Sequence, residues 1–188
     1  MNKVLNVGGG PVRISPEYED WECWTLDIDA KYKPNFLMDA RDIGHLEPGQ
    51  FDAVYCSHNL EHYYEHEADA VLAGFYHVLT DTGFVDVRVP DARAVIEAVI
   101  QRDLALDSVL YESSVGPIRV CDVLWGYQKE IRESGHDYYA HKTGFSRRLL
   151  GQALKRAGFE YIVIGGGGYG LKALAYKVRP ESGGINDK

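Results

Sequence analysis

Residues 3–7, KVLNV, are a short apolar run that meets three consecutive glycines, Gly8, Gly9 and Gly10. Such a run fits a buried strand, and glycines at its carboxyl end let the backbone approach a ligand closely. Further runs of this kind follow at 24–28 (WTLDI), 35–38, 53–57 (AVYCS) and 83–89 (GFVDVRV), with helix-period segments between them. This alternation predicts an α/β protein with a doubly wound, mostly parallel sheet. Two last strands, 159–164 and 171–178, bring the expected number to seven, and the final one runs antiparallel. Gly165 to Gly170, between those two strands, is expected to be a flexible hairpin loop.

The helices carry their own signals. Segment 67–79 places Val71, Leu72, Phe75, Val78 and Leu79 on one face. Asp91 is positioned to cap a helix with Val95, Ile96, Val99 and Ile100 inward, and Ser146 one with Leu149, Leu150, Ala153, Leu154 and Ala157 inward. Gly158 is the stop signal of the latter. Between Gln101 and Gly144 the rhythm breaks for longer than a simple connection needs. This stretch holds Tyr111, Trp125, Tyr127, His136, Tyr138, Tyr139 and His141. A chain of 188 residues suits one domain. The expected organisation is a single domain over 1–180, with a helical aromatic-rich cap at about 104–144 and a disordered tail at 181–188.

Composition excludes several classes of function. A net charge of −8 gives no broad footprint for nucleic acid, and Arg147-Arg148 is the nearest approach to a basic patch. Three scattered cysteines, Cys23, Cys56 and Cys121, argue against a disulfide framework and fit a reducing compartment. No signal-peptide core opens the chain, and no apolar run approaches membrane-spanning length. A cytoplasmic protein with no nucleic-acid or membrane partner is expected.

The candidate site lies where the strands end. Gly8-x-Gly10 begins a dinucleotide fingerprint, but Arg13 stands at its third glycine position, and no phosphate-loop pattern follows. Asp27 comes 19 residues after Gly8, close to the ~20 expected of a carboxylate that binds a ribose. Asp29 competes for that role, and Asp39 is suited to accept from an adenine amine. All three sit just past strand ends, where open α/β sheets bind ligands.

The stretch SHNLEHYYEH, residues 57–66, spells His58-x-x-Glu61-His62, an inverted zinc-protease pattern, with His66 a further imidazole. His58 directly follows a buried strand, so it belongs to a loop and need not share a face with His62. Glu61 favours the positive end of the helix that follows, His62 anchors the loop, and His66 is an exposed helix-start residue. No metal is expected.

VLNVGGGP, LDID, MDARDI, FDAVYCSHNLEH, HVLTDTGFVDVRVPD and HKTGFSRRLLGQALKRAGF, in that order, resemble the class I S-adenosylmethionine-dependent methyltransferases, in particular small bacterial members of type-11 character. The resemblance covers roughly 3–103 and 141–178. It implies the Rossmann-like methyltransferase fold, S-adenosylmethionine as cofactor, and a cofactor site of Asn6, Gly8, Gly9, Gly10, Asp27, Ile28, Asp39, Ala40, Ser57 and His58. Within it, Gly8 and Gly10 lie under the methionine part, Asp27 binds the ribose, Asp39 and Ala40 border the adenine, and Ser57 and His58 close the site near the sulfonium. Asn6 replaces the usual strand acid, and Val12 a frequent glycine.

Methyl transfer to a hydroxyl calls for a general base, and histidine titrates in the right range. His58 is the first candidate, with His136 and His141 next. The expected activity is methylation of a small-molecule acceptor, on oxygen, as in sugar or natural-product pathways. A homodimer through the last strand pair is the expected assembly. The competing readings are a nicotinamide-dependent oxidoreductase, against which Arg13 counts, and a non-catalytic S-adenosylmethionine-binding protein.

Overall fold

The computed structural model describes residues 1–10, 14–113 and 116–180. Val12, Arg13 and the tail 181–188, all singled out in the sequence, lie outside the described residues. The seven expected strands form one sheet: β1 (Lys3–Val7), β2 (Glu22–Asp27), β3 (Phe36–Leu37), β4 (Phe51–Ser57), β5 (Leu79–Pro90), β8 (Tyr161–Gly167) and β9 (Gly170–Tyr176). Their spatial order is β3-β2-β1-β4-β5-β9-β8. The first five pair in parallel, while β9 is antiparallel to both β5 and β8. This is a doubly wound, Rossmann-like sheet, in which the order of strands switches sides between β1 and β4. The carboxyl ends of those two strands therefore open a crevice.

Central strands buried on both faces need continuous apolar sequence. Val4, Leu5, Val7, Ala53, Val54, Cys56, Val85 and Val87 are all completely shielded from solvent or nearly so. On one face α1 (Glu65–Val78) and α5 (Arg147–Arg156) supply Val71, Leu72, Phe75, Leu150 and Leu154 to the main core. Glu67 accepts from the Tyr64 N–H at 3.0 Å and Ser146 Oγ from the Leu149 N–H at 3.4 Å, so each helix starts on a side-chain cap. Asp91 caps α2 (Ala92–Arg102) through the N–H groups of Arg93 and Ala94.

Four details differ from the sequence reading. Val95 and Ala98 are the buried residues of α2, whereas Ile96 and Ile100 are 51% and 75% exposed. A helix turns about 100° per residue, so the stripe through Val95 and the stripe through Ile96 cannot both face inward. Leu79, expected to end the helix, and Thr80 instead begin β5 directly after α1, with a register shift against Phe51 and Ala53. Most of the glycine connection is also strand: Gly165, Gly166 and Gly167 pair with Lys172, Leu171 and Gly170. The stretch 104–144 is not purely helical. It opens with an antiparallel pair, β6 (Val109–Ser113) and β7 (Gly116–Arg119), and continues through the short helices α3 (Val120–Trp125) and α4 (Gln128–Ser134). It has a small core of its own, in which Leu110, Val120 and Val123 pack on Val95 and Ala98 of α2.

A tight contact fixes α1 beneath the sheet edge. A Cβ added at Gly74 would collide with Cγ2 of Ile43, which is itself fully buried. Gly74→Ala should therefore cost about 1–2 kcal/mol through overpacking, despite the ~1 kcal/mol that alanine gains over glycine inside a helix. Urea denaturation reads the balance, and a stabilised variant would mean that Ile43 has room to move.

Candidate cofactor and acceptor site

The crevice predicted at the strand ends is a cavity of about 600 Å³. Asn6, Gly8, Gly9, Gly10, Asp27, Ile28, Asp39, Ser57 and His58 all line it. The glycine loop is held from two sides. Gly8 donates to the Leu26 carbonyl at 2.8 Å, and Gly10 donates to Asp27 Oδ2 at 3.1 Å. The other oxygen of Asp27 accepts from the Asp29 N–H at 2.9 Å. Asp27 thus ties the first loop to the second while facing the cavity, and each oxygen keeps a lone pair for a ligand.

The loop admits only glycine where it matters. Gly8 has φ +65°, and a Cβ there would overlap the Asn59 amide. At Gly9 it would overlap the amide of Asn6. Asn6 is buried, and its Oδ1 has no hydrogen-bond partner among the described residues. A polar atom in that state beside a cavity is open to a donor placed there.

Asp39 caps the 3-10 turn Ala40–His45 through the Arg41 N–H and pairs with the Arg41 guanidinium at 2.8 Å. Burial alone would raise its carboxyl, but Arg41 outweighs this and holds it below the usual range. Arg41 also reaches Glu67. Ala40 is buried behind Asp39 and does not line the cavity.

Across the crevice, the 3-10 turn Asp137–Tyr139 supplies Tyr138 and Tyr139 to the wall. Lys31 Nζ bonds the Tyr139 hydroxyl at 3.0 Å and pairs with Asp29 at 2.8 Å, so the two rims meet. The aromatic residues at this end of the cap close over the cofactor crevice.

At the base of the crevice the chain leaves β4 abruptly. His58 has φ +51°, an uncommon conformation for a side chain branching from the backbone, and its N–H donates to the Arg88 carbonyl at 2.8 Å. Leu60–His62 is then a separate 3-10 turn, and α1 begins only at Glu65. Glu61 is therefore not a helix-start residue, because the extended backbone of Tyr63 and Tyr64 intervenes. Its side chain points inward and is 2% exposed. His58 Nδ1 lies 3.4 Å from Glu61 Oε1, and His141 Nε2 lies 3.9 Å from it. Burial would raise the Glu61 carboxyl, but the three neighbouring histidines hold it below the ordinary range. Glu61 in turn raises His58, while burial lowers His141.

His62 anchors the loop through an Nδ1 contact of 3.1 Å with the Ala140 carbonyl, and His66 is exposed on α1. His141 packs behind Glu61 and not on the cavity wall. His136 is exposed, stacked on Tyr138 with ring centroids 4.7 Å apart, and absent from the lining. Of the three candidate bases, only His58 faces the crevice. It also borders a second cavity of about 530 Å³, with Arg88, Lys172 and the glycines at 165–167. Asn59, Tyr32, Arg41 and Lys142 complete the first site and were not singled out in the sequence. Asn59, Arg41 and Lys142 carried a signal, by standing next to His58, Ala40 and His141.

Residues 5–86 match a family model described as a methyltransferase domain. A comparison with curated protein sequences gives no match. Among solved structures, the chain is similar to a SAM-dependent methyltransferase from Archaeoglobus fulgidus (15% identity, TM-score 0.60, 94% of this chain and 86% of that one). It is similar to a SAM-dependent methyltransferase from Methanosarcina mazei (12%, 0.58, 94% and 92%). It also resembles the 1,6-didemethyltoxoflavin-N1-methyltransferase of Burkholderia thailandensis, solved with that compound and S-adenosylhomocysteine (15%, 0.55, 95% and 72%). The fold is that of the class I S-adenosylmethionine-dependent methyltransferases.

Gly8→Ala tests the loop. A left-handed residue other than glycine costs roughly 1–2 kcal/mol, and the displaced Asn59 adds to it, so a loss of about 2 kcal/mol is expected in chemical denaturation. Adding Asn59→Ala should recover the steric share only. An unchanged stability for the single variant would contradict the close packing.

Proposed function

We propose that this protein binds S-adenosylmethionine in the larger cavity and transfers its methyl group to the hydroxyl of a small molecule. The observation that carries this reading is the glycine loop latched to Asp27 at the end of β2, inside a domain matched as a methyltransferase. The residues present fit the cofactor. The loop offers a glycine backbone, Asp27 free lone pairs for ribose hydroxyls, Asp39 an acceptor at the adenine end, and Asn6 an unpaired buried oxygen. A volume near 600 Å³ is in the range of small-molecule sites.

When bound, S-adenosylmethionine supplies an activated methyl group, so the protein's task is alignment and exclusion of water. Ser57 and His58 border the methyl-donor end. His58 directs Nδ1 at Glu61, which leaves Nε2 to take the proton of an acceptor hydroxyl. The raised basicity that Glu61 confers supports this role. The second cavity, which shares His58, is the candidate acceptor pocket. The Tyr138 and Tyr139 rings shield the crevice from solvent. A negative net charge agrees with a small acceptor better than with a polyanion.

Calorimetric titration with S-adenosylmethionine and S-adenosylhomocysteine tests the reading, with NADH as control. Micromolar binding of both sulfur ligands is expected, weakened at least about tenfold in Asp27→Ala by the loss of two ribose hydrogen bonds. Failure of both to bind, or binding of NADH in their place, would overturn it. Methyl transfer from the labelled cofactor to a panel of hydroxylated acceptors, abolished in His58→Ala, would then assign the base.

A further inference from the structure

Glu61, His62 and His141 are brought together by the fold with no explanation in cofactor binding. One ligand atom from each lies within 4.8 Å of the others. Glu61 is fully buried, its Oε1 has only ion-pair contacts, with His58 at 3.4 Å and His141 at 3.9 Å, and its Oε2 has no partner among the described residues. An ionised carboxylate left so is costly, and in native proteins such a group is paired or holds a metal.

The two imidazoles are prepared in the same way. His62 Nδ1 lies 3.1 Å from the Ala140 carbonyl and His141 Nδ1 2.8 Å from the Val123 carbonyl. A carbonyl oxygen only accepts, so each Nδ1 carries the proton and each Nε2 keeps its lone pair. A ring fixed by a backbone carbonyl, with the other nitrogen free, is the support that metal-bound histidines use. The rings meet edge to face with centroids 5.0 Å apart, and His141 Nε2 is already 3.9 Å from Glu61.

From this geometry we infer that Glu61, His62 and His141 form a binding site for one divalent transition-metal ion, of the zinc, cobalt or manganese type. Two nitrogen ligands and one carboxylate suit such ions. Bonds of about 2.0–2.2 Å require the ligand atoms to draw in by an ångström or so, which rotation of the side chains supplies. Three protein ligands leave a position open for water or a substrate oxygen. His62 also lines the larger cavity, so that position lies near the cavity wall, and Glu61 Oε1 lies between His141 and His58. A hydroxyl bound there would lose its proton more readily. This catalytic use rests on the methyl-transfer reading, whereas the binding of the ion does not.

Cobalt(II) is the first probe, added to chelator-treated, dialysed full-length protein, followed by zinc as competitor. One equivalent is expected to bind with visible d–d bands that zinc abolishes. Affinity should fall by more than ~100-fold in His141→Ala and in Glu61→Gln, beyond the 10–100-fold range typical of losing a supporting hydrogen bond, and stay unchanged in the exposed His66→Ala. Circular dichroism confirms that the variants fold, and His62→Gln replaces any that does not. S-adenosylhomocysteine binding should persist in the metal-free protein, which separates failure of this site from failure of the cofactor site. No cobalt or zinc binding by the wild type, or binding that survives both ligand variants, would overturn the inference.

Discussion

The turn at Leu60–His62 is the point on which the crevice end of this molecule hangs. The main-chain carbonyl of Glu61 accepts from the N–H groups of Lys142 and Thr143, at 2.8 and 3.2 Å. One residue on, His62 holds Ala140. These bonds fasten the far end of the inserted segment to the carboxyl edge of the sheet. Phe145 then meets the start of α2, with the Ala92 N–H on its carbonyl at 2.9 Å, and α5 begins in register with the core. The fastening at Glu61 acts together with the Lys31–Tyr139 and His141–Val123 bonds to place the tyrosines and the imidazole of His141.

A second restraint sits beside it on β5. Asp86 is fully buried in the sheet and receives Tyr18, Arg88 and, at 3.6 Å, Lys172. Arg88 also pairs with Glu17, which Lys172 bonds as well. This network carries its charge outward from a solvent-free carboxylate to a half-exposed rim. It fixes the positive side chains that border the second cavity, so their charge is largely committed to the protein. An acceptor bound there would meet the open glycine backbone of β8 more than free cations.

The site as a whole places its rigid part and its adjustable part on different elements. The glycine loop and Asp27 are set by strand ends and by backbone bonds, which tolerate little change. The covering side is held by the Lys31–Tyr139 bridge, by the bonds to Glu61 and His62, and by a small core shared with α2. Among the described residues no helix is long and apolar enough to cross a membrane.

Much of this was legible in the sequence, because it rests on local pattern. The seven strands, the parallel pairing of most of them, the caps at Asp91 and Ser146, and the crevice where Gly8, Gly10, Asp27 and Asp39 meet follow from apolar runs that end in glycine or aspartate. Two kinds of feature were not. The inward face of α2 and the strand pair in the cap depend on which neighbour arrives to cover them, and periodicity does not name the neighbour. The histidines show the same limit. His58 and His62 do not share a helix face, as the sequence implies, yet His141 comes from 79 residues beyond His62 to meet Glu61. Sequence alone determined the sheet and the cofactor crevice, since both are built from segments whose chemistry repeats at short range. Only the tertiary structure decided what surrounds Glu61, since burial of that carboxylate exists only once the cap has closed over it.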